Sequence, residues 1–372
     1  HSFPTRRSSD LFQDQLLTNA NVKSICPAIT DDRIYFGIRA GNEITGKDVA
    51  IFYDQEPIDL KVFYVGVYRN TRLQHANKKI LISSEYSTEQ DLLCRDYSLI
   101  PCHYFYHALL CHEWYRNYWY TVQNNVNFDR VYITYNNLII NKRLYRANLI
   151  TELDQLNILD QGYVSYNNAQ FGRLQESLDT YTLLPPEHKK NIEANLDLLS
   201  RKLVIDTESA HGALSAEIDI ATMQSAFVNL VTETIFYEDK VHLTEKIFKP
   251  IVARTPFLLL AGPGNLAYLK QYGFKTFDDY WSEDYDSITN NVDRFNAVMR
   301  ILEKLCNTSH HELVSMKRDM QHILDHNFNT FFKTMRPLVA DELVTNLGAA
   351  LKQAEISYNP NDLRVLGNTL AF

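Results

Sequence analysis

Apolar runs of strand length alternate with stretches of helical spacing along most of the chain. In the first third, DVAIFYDQEP (48–57) and NKKILISSE (77–85) each read as a buried strand that closes in acids and small polar residues, and YSLIPCHYF follows in the same manner. HALLCHEWYRNYWY (107–120) differs, because Leu110, Trp114 and Tyr118 recur every fourth residue and so mark one face of a helix. Strands alternating with helices predict parallel pairing in a doubly wound α/β sheet, where ligands gather at the carboxyl ends of the strands. That rule sets Asp54, Glu56 and Glu85 beside a cleft.

A second unit of the same kind begins near Phe128. DRVYITYN is a strand ending at Asn136, LIINK a loop, RLYRANLITELDQLNIL a helix, and GYVSYN (162–167) the next strand, together one βαβ unit. A polar insertion follows, with Pro185 and Pro186 at the expected start of a helix. Strand character returns at AFVNLVTET (226–234) and PFLLLAGPG (256–264); residues 287–335 read as helical. In LVADELVTNLGAALKQ, Leu343, Leu347 and Leu351 form a stripe for docking on a core. The pattern thus predicts two Rossmann-like domains, 12–125 and 126–335, with a C-terminal helix and tail, 336–372, that crosses back.

Composition narrows this picture. The opening HSFPTRRSSDL (1–11) reads as translated sequencing adapter, so the biological start is expected to be missing. The net charge of −8 argues against bulk nucleic-acid binding, which needs a field able to displace counterions from phosphates. Five cysteines with no Cys-x-x-Cys pair point to reduced thiols and a cytoplasmic setting, which leaves room for peripheral membrane attachment. No apolar run reaches the roughly 18 residues of a membrane span. Oligomeric state is left open.

The chemistry concentrates in VHLTEKIFKP (241–250). Thr244 is placed to cap a helix whose first residues are Glu245 and Lys246, so that backbone amides and the positive dipole end face an anion such as a diphosphate. Lys246 adds a full charge, with Lys249 one turn on, while Glu245 suits the paired hydroxyls of a ribose or sugar. Taken alone, the ten residues fit a solvated helix start better, because Glu is common in first turns for dipole reasons alone.

The wider segment FVNLVTETIFYEDKVHLTEKIF (227–248) resembles the donor-binding signature of the α1,3-fucosyltransferase family, glycosyltransferase family ten. There an apolar strand ends in Glu, a variable loop follows, and Thr-Glu-Lys opens a helix; Glu233 and the triplet Thr244, Glu245, Lys246 match. VYITYNNLIINKRLYRANLITEL is similar to the same family's strand ending in an Asn, followed by a loop and an arginine. Asn136 takes the first position, and Arg146 or Arg143 the second. The resemblance spans roughly 120 residues of the second half. It implies the donor domain of a two-domain GT-B glycosyltransferase that needs no metal, takes a nucleotide-diphosphate sugar, favours a GDP-sugar, and inverts the transferred sugar onto a glycan or other hydroxyl acceptor. Glu245 would then hold hydroxyls, and Lys246 with the helical arginine would neutralise the diphosphate. Two departures stand out: Pro250 inside the expected helix predicts a kink or a shifted start, and TPFLLLAGPG ends its strand in a longer turn than the family's.

Transfer also needs a base, for which Glu85, Glu56 and Asp54 are the candidates; His107 and Trp114 are placed on the acceptor side. Cys102, His103, His107, Cys111 and His112 crowd one segment, but the Glu of a zincin pattern is missing after His103, and scattered Cys and His among aromatics read as core. Asp284 and Asp286 form an Asp-x-Asp without the preceding apolar strand that metal-dependent transferases use, which favours a capping role. A nonenzymatic nucleotide- or glycan-recognition protein on the same fold is the competing reading.

Overall fold

A computed structural model describes residues 24–27, 34–37, 49–54, 57, 76–201, 203 and 215–371. The chain is α/β, and its described residues include two four-stranded sheets with every pairing parallel. It divides into two compact units: one holds the chain up to Glu113 and again from Thr334, the other Trp114–Lys333. The first division thus falls inside the helix expected from His107, ahead of the boundary drawn at 125. The C-terminal segment groups with the first unit.

In the first unit β1 (Ile34–Gly37), β2 (Val49–Asp54), β3 (Lys78–Ser83) and β4 (Ile100–His103) lie side by side in chain order. A neighbour on each side buries Ile80, Leu81 and Ile82 completely, which is why that run is apolar without alternation. α1 (Thr88–Asp96) starts on Ser87, whose hydroxyl accepts from the Gln90 amide, and α2 (Tyr106–Tyr115) follows β4. The helices Arg336–Gln353 and Pro360–Ala371 complete the unit, and Leu343, Leu347 and Leu351 are buried as their spacing predicts. The second of these helices carried no expectation of its own.

In the second unit β5 (Arg130–Asn136), β6 (Gly162–Tyr166), β7 (Ala226–Thr232) and β8 (Phe257–Leu260) take the order β8-β7-β5-β6. After β5 the chain steps outward to β6, then returns to the other side of β5 for β7 and β8. This reversal makes a topological switch point between β5 and β7, and a crevice at their carboxyl ends. Every residue of β7 and β8 is buried, as the unbroken apolar runs require. β6 opens with Gly162 because a Cβ there would lie 2.3 Å from the Tyr132 ring. α3 (Leu144–Gln155) follows β5, α4 (Glu245–Val252) follows β7, α5 (Asn265–Gln271) follows β8, and α6 (Asn291–Cys306) lies further on.

All five cysteines are buried free thiols. Among the described residues no helix is long and apolar enough to cross a membrane.

Candidate functional site at the end of the seventh strand

β7 runs directly into Glu233 and Thr234, both buried. The Glu233 carboxylate accepts the Thr244 amide at 3.1 Å, the Thr244 hydroxyl at 2.6 Å and the Thr234 amide at 3.2 Å. Burial raises its pKa above the usual carboxylate range, against the opposing charge of Lys246 and the bonds from Thr244. Thr244 occupies the N-cap position that its sequence predicts, yet its hydroxyl is turned to Glu233 and makes no cap to the helix. The Thr244 side chain therefore gives no cap to α4, whose first turn lies at the positive end of the helix dipole.

Lys246 extends this network. Its Nζ donates to Thr244 Oγ1 at 2.9 Å, to Glu245 Oε1 at 3.2 Å and to Thr234 Oγ1 at 3.4 Å. The side chains of Lys246 and Glu245 stay 28% and 16% exposed, so both reach solvent while anchored. The helix begins at Glu245, and the register expected from the Thr-Glu-Lys pattern is the one adopted. Pro250 lies within it and deprives the Lys246 carbonyl of its usual amide donor; the helix ends two residues later, at Val252.

Arg146 comes from the opposite side of the switch point. It is buried, and its Nη2 donates to the carbonyls of Thr232 at 2.8 Å and Glu233 at 3.0 Å, its Nη1 to that of Leu138 at 3.2 Å and its Nε to the Tyr145 hydroxyl at 3.4 Å. Tyr145 in turn donates to the Glu233 carbonyl. Arg146 and Lys246 thus both terminate on residues 232–234. Four of the five guanidinium N–H groups clamp protein atoms, which leaves one on Nη1 for anything else. Arg143 precedes α3 half-buried, and Lys249 is anchored elsewhere, on the Glu217 carbonyl at 2.9 Å.

Asn136 closes β5 with no exposed surface. Its Nδ2 donates to Thr134 Oγ1 at 3.2 Å, and its Oδ1 is buried without a partner. An unsatisfied amide oxygen buried at the end of β5 is costly in a folded chain.

Sequence reasoning missed Arg294. Its guanidinium donates to the carbonyls of Ala261 at 3.1 Å, Ile288 at 2.7 Å, Thr289 at 3.3 Å and Phe236 at 2.5 Å, and to the Asn291 side chain at 2.5 Å. The bond to Phe236 ties the loop that separates Glu233 from Thr244 to α6, and the others hold the end of β8 and the turn before α6 to the same guanidinium. The available signal was a charge on the apolar stripe of α6, four residues before Val298 and eight before Leu302, all buried. Gly262 supports the same loop, since a Cβ there would come within 2.8 Å of the Lys240 carbonyl and 2.9 Å of that of Glu238. Asp286 caps α5 through the amides of Leu266 at 2.9 Å and Ala267 at 3.0 Å, so that half of the Asp-x-Asp pair is a helix cap.

In the first unit Glu85 follows β3 at 1% exposure and accepts from the Ser87 hydroxyl. Only the backbone of Asp54, the last residue of β2, is described, and Glu56 lies outside the described residues. His107 is buried in the first turn of α2, whereas Trp114, at its far end, is half-buried and belongs to the second unit. His103 ends β4 and His107 sits on α2, so the two do not share a helix. Among the described residues no three His, Cys, Asp or Glu side chains gather as a metal cluster.

No model of a known protein family matches this chain, and no curated protein matches it in sequence.

Proposed function

We propose that the second unit binds a nucleotide diphosphate at the head of α4, and that the protein is a metal-independent glycosyltransferase of GT-B type. It would move a sugar from a nucleotide-diphosphate sugar to a glycan or other hydroxyl acceptor, with inversion. The observation that carries this reading is the orientation of Thr244: its hydroxyl serves Glu233 and Lys246 and does not cap α4, which sets the partly exposed Lys246 ammonium beside the positive end of the helix dipole. As the bond to the sugar breaks, negative charge grows on the departing diphosphate, and the helix dipole and Lys246 stabilise it without rearrangement. Glu245, acceptor-only when ionised, suits neighbouring hydroxyls. Arg146 contributes by holding the strand end in place and by its buried charge. The acceptor hydroxyl needs a base, for which Glu85, Glu56 and Asp54 are the sequence candidates.

One observation favours binding without turnover: Glu85 is 1% exposed and already bonded to Ser87, so the one candidate base whose side chain is described offers no open carboxylate. A melting scan of the full chain with GDP, UDP, ADP, CMP and dTDP tests the nucleotide site, since a raised midpoint with at least one diphosphate is required. Failure of all five overturns it. Single-turnover assay of the Glu85→Gln, Glu56→Gln and Asp54→Asn variants then separates an enzyme, which loses transfer in one of them, from a recognition protein, which transfers nothing in any form.

A further inference from the structure

The carboxyl ends of β3 and β4 carry a second group of side chains that the nucleotide site does not use. Tyr86 lies on the His103 imidazole with ring centroids 3.6 Å apart and planes inclined by 28°. His103 is buried and hydrogen-bonded to the Glu85 backbone, and burial pushes its pKa down to about 3, so the ring beneath Tyr86 is a neutral, fixed support. Tyr86 itself keeps 46% of its surface exposed, an unusual exposure for an aromatic ring held so firmly from behind.

Glu342, on the helix Arg336–Gln353, lies near enough to this ring for its charge to act on the Tyr86 phenol. Its carboxylate accepts the Phe105 amide at 3.0 Å, and burial together with the Glu342 charge pushes the Tyr86 phenol up to about 12. One turn further on, Asn346 donates to the His103 carbonyl at 2.7 Å, so the same helix fixes both the end of β4 and the acid near Tyr86. The result is an exposed aromatic ring on a rigid imidazole base, with a carboxylate near enough for its charge to act on the ring's hydroxyl, at strand ends where ligands collect in parallel sheets.

We infer that this corner binds a saccharide, with the apolar C–H face of a sugar ring on Tyr86 and sugar hydroxyls donating to Glu342. A sugar is the ligand class that presents an apolar ring face and hydroxyl donors at right angles to it, and the corner offers one partner for each. The inference deepens the proposed function, for which it supplies the acceptor, but it does not depend on nucleotide binding.

The test is saturation-transfer NMR of the full chain without nucleotide, using free hexoses, deoxyhexoses, N-acetylhexosamines and their disaccharides, with choline as a cationic control. At least one saccharide is expected to receive saturation at its ring C–H protons. Tyr86→Ala is expected to weaken binding at least about tenfold, Tyr86→Phe by less than about threefold, and Glu342→Gln at least about fivefold. Melting with and without the nucleotide panel on the same samples shows that each variant is folded and reads the other site separately. Binding of no saccharide, binding of choline alone, or equal affinity in wild type and Tyr86→Ala overturns the inference. A nucleotide response without sugar binding overturns this corner alone, whereas sugar binding without any nucleotide response upholds the corner and overturns the donor site.

Discussion

The Glu233 carboxylate holds Thr244 twice, by its amide at 3.1 Å and by its hydroxyl at 2.6 Å, across a separation of eleven residues. This pair of hydrogen bonds from one threonine to one buried acid sets the start of α4 and decides where the Thr244 hydroxyl points. Thr244→Val should therefore remove the shortest hydrogen bond to the buried Glu233 carboxylate, leaving that oxygen only the Thr234 amide, and cost about 1–3 kcal/mol, while Thr244→Ser should cost well under half of that. Urea unfolding of both variants checks this. Equal losses would mean that the hydroxyl contributes nothing.

Arg146 and Lys246 should separate by phenotype although both end on the same strand terminus. Arg146→Lys breaks bonds to buried carbonyls of Leu138, Thr232 and Glu233 and is expected to lower stability by roughly 3 kcal/mol. Its effect on nucleotide affinity, measured under conditions where it is folded, should stay within about threefold. Lys246→Ala should reverse the pattern, with stability within about 1 kcal/mol of wild type and affinity clearly reduced. A large affinity loss in Arg146→Lys would instead assign its guanidinium to the ligand.

Acid should loosen the second unit through His188. This imidazole is 2% exposed, its Nδ1 lies 3.0 Å from the Tyr237 hydroxyl, and its Nε2 has no partner. Burial first, and then the Arg294 charge, push its pKa down from 6.5 to about 4. Between those values the unfolded chain binds the proton and the folded chain does not, so stability is full above pH 6.5 and falls as pH drops toward 4. The loss amounts to roughly 3 kcal/mol from this residue. His188→Gln should flatten the curve in that window relative to wild type, as read by denaturant unfolding at successive pH values; parallel curves would exclude His188 as the cause.

Much of the fold was legible because its signals are local. Continuous apolar runs marked β3, β7 and β8, and the Thr-Glu-Lys pattern fixed the first residue of α4 despite Pro250. Long-range commitments were not legible. Nothing in the spacing around Thr244 says that its hydroxyl prefers an acid eleven residues earlier to its own helix amides. The cationic positions beside the switch point looked alike in sequence, but burial commits Arg146 to carbonyls while Lys246 stays at the solvent edge. Arg294 and Glu342 were hidden for a related reason: a charged residue on a helix reads as surface until the surrounding chain shows which carbonyl or amide it serves.

Calorimetric titration addresses the anion site at the head of α4 most directly. The full chain and its Lys246→Ala variant would be titrated with GDP and with guanosine at one fixed ionic strength. The predicted result is binding of GDP by the wild type, no detectable binding of guanosine, and at least about a tenfold weaker Kd for GDP in the variant. The same GDP affinity in both proteins, or guanosine binding as well as GDP, would contradict it.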